Sequence, residues 1–216
     1  MAKLSDLGFM DGVIFETIVS TYNSDRTANA APMGVTMQDN QTVAVTLFNS
    51  SQTYQNLKTN KCGVINLTSN IEMFYRTAFK ETNPDGELPK EWFIKAEAVK
   101  APKLRLADAA VEVSVISMEA LGGEKTRVLC RVEQISALQK FPQAYCRAMS
   151  ATLEAIIHAT RVKAFIGDAN KQEQVGQLLG LIANCKDVVS HTAPNSQYCI
   201  VMADLYRMID SWRSNP

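Results

Sequence analysis

The segment Asn29–Leu57 decides the fold: N-A-A-P-M-G-V-T-M at 29–37, then V-A-V-T-L-F-N-S-S-Q-T-Y-Q-N-L at 43–57. Val43, Val45 and Leu47 alternate with Ala44, Thr46 and Phe48, the period of a half-buried strand. Asn49, Ser50, Ser51 and Thr53 follow at once, and a short helical reading runs on through Gln55, Asn56 and Leu57. The first turn of a helix carries unpaired N–H groups and the positive end of the helix dipole. A hydroxyl-rich strand-to-helix junction is therefore a natural phosphate site. The same Ser50 or Ser51 also suits a plain helix cap, and composition does not separate the two roles. Upstream, Ala30-Ala31-Pro32-Met33-Gly34 joins small residues, a proline without an N–H and a permissive glycine, which lets a flat ligand approach backbone closely, and Ala30-Ala31-Pro32 equally suits an edge strand or barrel corner with no ligand.

Working outward, strand patterns dominate before position 137: Val13–Ser20, Ala28–Met37, Thr42–Phe48, Lys61–Thr68, Trp92–Lys100, Val111–Met118 and Arg127–Ile135. Gly122-Gly123 between the last two signals a hairpin. Val111, Val113 and Val115 alternate with Glu112 and Ser114, as Val128, Cys130 and Val132 do with Arg131 and Glu133. Two helices, about 52–59 and 71–79, interrupt the strands, and 83–89 (N-P-D-G-E-L-P) reads as an irregular loop. Many strands joined by short turns predict a barrel. Beyond Pro142 the period becomes helical, over 144–162, 171–183 and 197–212, with Asp168, Asn170 and Asn195 as candidate caps. The expected division is a barrel domain over 1–139 and a helical extension over 140–216.

These motifs resemble the FMN-binding split-barrel superfamily, in which a strand carrying N-x-A-P-x-G faces the isoalloxazine and an S-x-x-T-x-x-N-L junction holds the phosphate. Within it the chain is most similar to a flavoprotein family of archaea and methylotrophic bacteria. That similarity continues through E-T-I-V-S-T (16–21), G-V-I-N-L-T-S-N (63–70), M-F-Y-R-T-A-F (73–79), L-R-L-A-D-A-A-V-E (104–112) and R-A-M-S-A-T-L-E-A-I-I-H-A-T-R (147–161). Cys146 stands where the family pattern leads one to expect Asn. The resemblance implies a mainly β α+β fold: an FMN-binding split β-barrel of six or seven strands with a helical C-terminal extension. It implies non-covalent FMN, a homodimer, and cofactor contacts from Asn29, Ala30, Ala31, Pro32, Met33, Gly34, Thr46, Phe48, Asn49, Ser50, Thr53 and Asn56. Arg147, Glu154 and Arg161 recur every seven residues on one helix. Either arginine could fork onto a cofactor phosphate or a substrate carboxylate, and the same spacing suits a solvated, salt-bridged face.

Other features set limits. Lys+Arg and Asp+Glu are equal at 22 each, which gives no electrostatic footprint for nucleic acid or an anionic membrane. With 46% hydrophobic and 20% charged residues the chain can bury a sizeable core. The first twelve residues hold no sustained apolar run, and a cytoplasmic location is expected. Five cysteines without a C-x-x-C, and two distant histidines, suggest free thiols and no metal site. Neither G-x-G-x-x-G, G-x-x-x-x-G-K-[ST], H-E-x-x-H nor G-x-S-x-G is present, which argues against Rossmann, P-loop, zinc-protease and α/β-hydrolase chemistry. No acid–base dyad stands out, so no catalytic residue is assigned. The expected function is an FMN-dependent oxidoreductase moving electrons or hydride between a small-molecule donor and acceptor, with a non-catalytic flavin-binding or electron-relay protein as the alternative.

Overall fold

The computed structural model describes residues 2–11, 13–137 and 146–214. The expected boundary between 139 and 140 lies outside them. Six strands close a barrel in the order β1–β2–β3–β8–β7–β4, every neighbouring pair antiparallel. These are β1 (Ile14–Tyr22), β2 (Ala28–Asp39), β3 (Thr42–Phe48), β4 (Cys62–Leu67), β7 (Ala109–Gly122) and β8 (Lys125–Ala137), with β5 (Phe93–Lys95) and β6 (Pro102–Leu104) forming a separate small sheet. Helices α1 (Gln52–Asn60) and α2 (Ile71–Ala78) fall between strands, and α3 (Arg147–Phe165), α4 (Gln172–Thr192) and α5 (Gln197–Ser214) end the chain.

Period two explains the barrel. Val19, Val35, Val43, Val45, Leu47, Ile65, Val111, Val113, Val128 and Cys130 fill its interior together with Leu57 of α1, and Leu4 and Phe9 join them from the N-terminal segment. Burial in that apolar interior pushes the Cys130 thiol up to about 12. The β7–β8 hairpin turns where the sequence placed it, through positive φ at Gly122, Gly123 and Glu124.

One strand is shorter than its pattern. The run 92–100 holds β sheet only over Phe93–Lys95, because the next N–H groups go elsewhere. Glu112 of β7, on the polar side of its alternation, is fully buried and accepts from Glu97 (3.0 Å), Ala98 (2.6 Å) and Val99 (3.3 Å). Its other neighbour is the ammonium of Lys103, 3.6 Å away, which also reaches Glu97 at 3.0 Å. The segment 96–104 is thereby laid over the outside of β4 and β7. Ala96, Val99 and Ala101 pack there on Cys62, Val64 and Ala110. Ser20 donates to Pro102 O at 2.6 Å, and Asn66 accepts from Leu104 N–H at 2.8 Å while donating to Ile18 O at 2.8 Å. Ser20, Asn66 and Glu112, which point away from the barrel, are consequently buried and paired, as buried polar groups must be.

The described residues divide into two compact units. The first runs through Thr68 and resumes at Lys80; the second takes Ser69–Phe79 with the helices after 145. Within the second, Ala148, Thr152, Ala155, Ile156, Ala159 and Val162 give α3 a buried stripe at helical spacing. Tyr75 of α2 reaches Met208 Sδ at 3.3 Å, and Phe79 packs on Trp212 with ring centroids 5.9 Å apart. Helix α2 thus belongs with the C-terminal helices, although its residues interrupt the strands.

Candidate functional site

The junction from β3 into α1 is held by its own side chains. The Asn49 N–H donates to Glu124 O at 2.9 Å, and the Thr126 hydroxyl donates to Asn49 Oδ1 at 2.7 Å, which fixes the junction to the start of β8. Ser51 is the N-cap: its hydroxyl accepts from Tyr54 N–H at 3.2 Å and donates to Phe48 O at 2.8 Å. Ser50 is exposed and takes no part in the cap. Helix geometry leaves the N–H groups of Gln52 and Thr53 without intrahelical carbonyls, so the start of α1 presents two backbone donors beside the Ser50 hydroxyl.

Behind this opening lies a buried polar network joining three of the expected cofactor residues. Asn29 (2% exposed) donates through Nδ2 to Thr21 Oγ1 and Thr53 Oγ1, each at 3.3 Å. Asn56 donates to the same Thr21 hydroxyl at 2.9 Å and to Asn23 Oδ1 at 2.8 Å, and accepts from Gln52 Nε2 at 2.8 Å. The Lys80 ammonium donates to Asn29 Oδ1. Thr53, only 1% exposed, therefore turns its hydroxyl towards Asn29. Thr21, Asn23 and Lys80 were not legible as partners: they are ordinary residues that β1, the turn after it and the chain after α2 bring to Asn29 and Asn56.

The small-residue run occupies an unusual edge. Strand β2 pairs with β1 from Ala28 to Thr36, but with β3 only from Val35 onward. Among the described residues, Ala30, Ala31, Pro32, Met33 and Gly34 have strand β1 on one side and no strand on the other. On the far side of that opening, Thr46 and Phe48 of β3 pair only with β8, opposite Arg127 and Lys125. Thr46 is exposed, and Phe48 is 57% exposed with the Lys125 ammonium 4.8 Å from its ring centroid. An unpaired strand edge offers a row of backbone donors and acceptors. Met33 packs its side chain on the core, so its backbone is what faces outward. Gly34 serves its neighbour: a Cβ there would lie 2.7 Å from Ile14 Cγ2.

Arg147 and Arg161 lie on α3 in the second unit, and both are exposed. His158 on the same helix sits 3.8 Å from the Glu154 carboxylate, and its Nδ1 is buried without a partner among the described residues. Burial lowers the His158 pKa, Glu154 opposes that, and Arg161 adds to it. Among the described residues no group of His, Cys, Asp and Glu could hold a metal ion, and no helix is long and apolar enough to cross a membrane.

Residues 15–139, more than half of the chain, match the family model for the N-terminal domain of a protein of unknown function, DUF447. The chain belongs to the DUF447 family. This DUF447 chain is similar in structure to an FMN-bound protein of the same family from Methanosarcina mazei, at 25% identity and a TM-score of 0.77, with 94% of this chain and 98% of that one covered. It is also similar to nitrilotriacetate monooxygenase component B from Bacillus cereus, at 16% identity and a TM-score of 0.51, covering 65% of this chain and 78% of that one. The second likeness is one of fold. The DUF447 chain therefore has the split-barrel fold that its strand–helix motifs predict.

Proposed function

We propose that this chain is an FMN-binding oxidoreductase, a cytoplasmic homodimer that passes electrons or a hydride between a small donor and a small acceptor through non-covalently bound FMN. The observation that carries the reading is the open backbone edge of Ala30–Gly34 beside the start of α1. A planar ring with polar margins suits such an edge, and a phosphate suits the free N–H groups of a helix start. The FMN of the Methanosarcina relative, which aligns over nearly the whole chain, supports the same assignment.

In this reading the backbone of Ala30, Ala31, Pro32, Met33 and Gly34 lines the flavin ring, with Thr46 and Phe48 across the opening. The Ser50 hydroxyl and the N–H groups of Gln52 and Thr53 take the phosphate. Asn49 anchors the junction, while the Asn29, Thr53 and Asn56 side chains support it from behind. Bound flavin supplies the redox chemistry, and the protein's residues supply binding and orientation.

The test is the absorbance spectrum of the purified protein, followed by titration with FMN and with riboflavin. FMN should bind tighter by about tenfold or more, because only it brings a charged group to the donors; equal affinities would remove the phosphate assignment. Stopped-flow reduction of the bound flavin by NADH or NADPH then separates an oxidoreductase from a flavin-binding protein without turnover.

A further inference from the structure

A cavity of about 510 Å³ in the first unit is lined by Tyr22, Arg26, Asn29, Lys80, Leu88 and Phe93 among others. Its volume is that of a small-molecule site. The Lys80 side chain is half-buried and its ammonium bonds the neutral Asn29 Oδ1, and no carboxylate among the described residues pairs with it. Burial pushes its pKa below the ordinary lysine value. Of the acids on the rim, Asp25 is engaged by the Thr27 hydroxyl at 2.6 Å and the Thr27 N–H at 2.9 Å, and Glu87 is exposed. Arg26 and Lys90 add two more cations to the lining. A cation held in a cavity without its counter-charge is a costly arrangement that an anionic guest relieves.

We propose that this cavity is a second ligand site, distinct from the flavin site, for a small organic anion whose charged group sits on Lys80 and whose apolar body lies against Tyr22, Leu88 and Phe93. The Asn29 amide stands between the two sites. Its Nδ2 supports Thr53 of α1, and its Oδ1 orients Lys80 into the cavity. The site does not depend on the flavin reading, since every group in it belongs to the protein.

Calorimetric titration of the full chain, as purified, with benzoate and its neutral isostere benzamide tests the proposal. Benzoate should saturate, and benzamide should bind about tenfold or more weakly than benzoate. Lys80→Met should weaken benzoate by a similar factor, and Lys80→Arg should largely preserve it. Saturating benzoate should leave the preference of the wild type for FMN over riboflavin unchanged. Failure of benzoate to saturate, equal binding of the two probes, or indifference to Lys80→Met overturns the proposal. Displacement of FMN by benzoate also overturns it, because the anion on Lys80 would then be the flavin's own phosphate. If Lys80→Met does not fold, the benzoate–benzamide comparison on the wild type decides alone. A chain that takes up no FMN refutes the flavin reading and leaves the benzoate result standing.

Discussion

Lys80 and Glu112 are charged residues placed where water is scarce, and each makes stability depend on chemistry that the sequence conceals. In the unfolded chain the Lys80 amine keeps its proton up to about 10.5, whereas burial makes the folded chain release it at lower pH. Between those two values the unfolded state binds more protons, so raising the pH favours the fold. Lys80→Met should abolish that alkaline gain, which is read by comparing the melting temperatures of the two proteins as pH rises towards 10.5. Glu112→Gln should cost on the order of 3 kcal/mol by denaturant titration, because one amide oxygen cannot replace a carboxylate that collects three backbone donors and faces Lys103. Strict alternation of Val111, Glu112 and Val113 located the strand but not the environment of Glu112. The pattern reports which face a residue is on, and only the later docking of 96–104 decides whether that face is wet.

At the scale of elements, sequence reading did well wherever one local force acted. Strand β3 was read with its observed ends, and α1 within a residue, because the apolar period and the cap both lie inside the segment. The expected strand over 92–100 broke where a long-range partner intervened, since Glu112 is fifteen residues beyond Glu97. Of the candidate site, the Asn29–Thr53–Asn56 association was legible as two motifs, but their link through Thr21 was not. Gly34 has a local reason to be glycine that its motif does not show, since a Cβ there would meet the Ile14 methyl. Gly34→Ala should therefore lower the melting temperature by forcing Ile14 aside, and pairing it with Ile14→Ala should restore much of the loss. An undiminished penalty in the double variant would mean that the strand pairing itself requires glycine at 34.

For the whole molecule, the apolar surface left in view argues for assembly. Met10, Ile14, Phe48, Leu106, Ile116 and Leu121 of the first unit are all more than half exposed, and a split barrel binding flavin at an open edge gains from a second copy that closes it. A dimer burying more than roughly 2,000 Å², with FMN at or near the interface, is the expected outcome. Light scattering of the flavin-loaded protein at micromolar concentration checks it, and a monomer would refute it. The two units were partly legible as well. The change from strand to helix period separated the C-terminal helices, but α2 lies among the strands in sequence and joins the helical unit through Tyr75 and Phe79, contacts that periodicity cannot reveal.

The layer formed by 96–104 also has a schedule. A nascent chain that has emerged only as far as Leu104 already contains this whole layer, yet lacks the carboxylate that fastens its first half, because Glu112 comes later in synthesis. The second half can seat early on Ser20 and Asn66, both already made. A layer fastened this way has the partners of its C-terminal half made before it and those of its N-terminal half made after it. Lys95 and Lys100, exposed on either side of the late stitch, are where trypsin would find a chain whose barrel has not yet received β7.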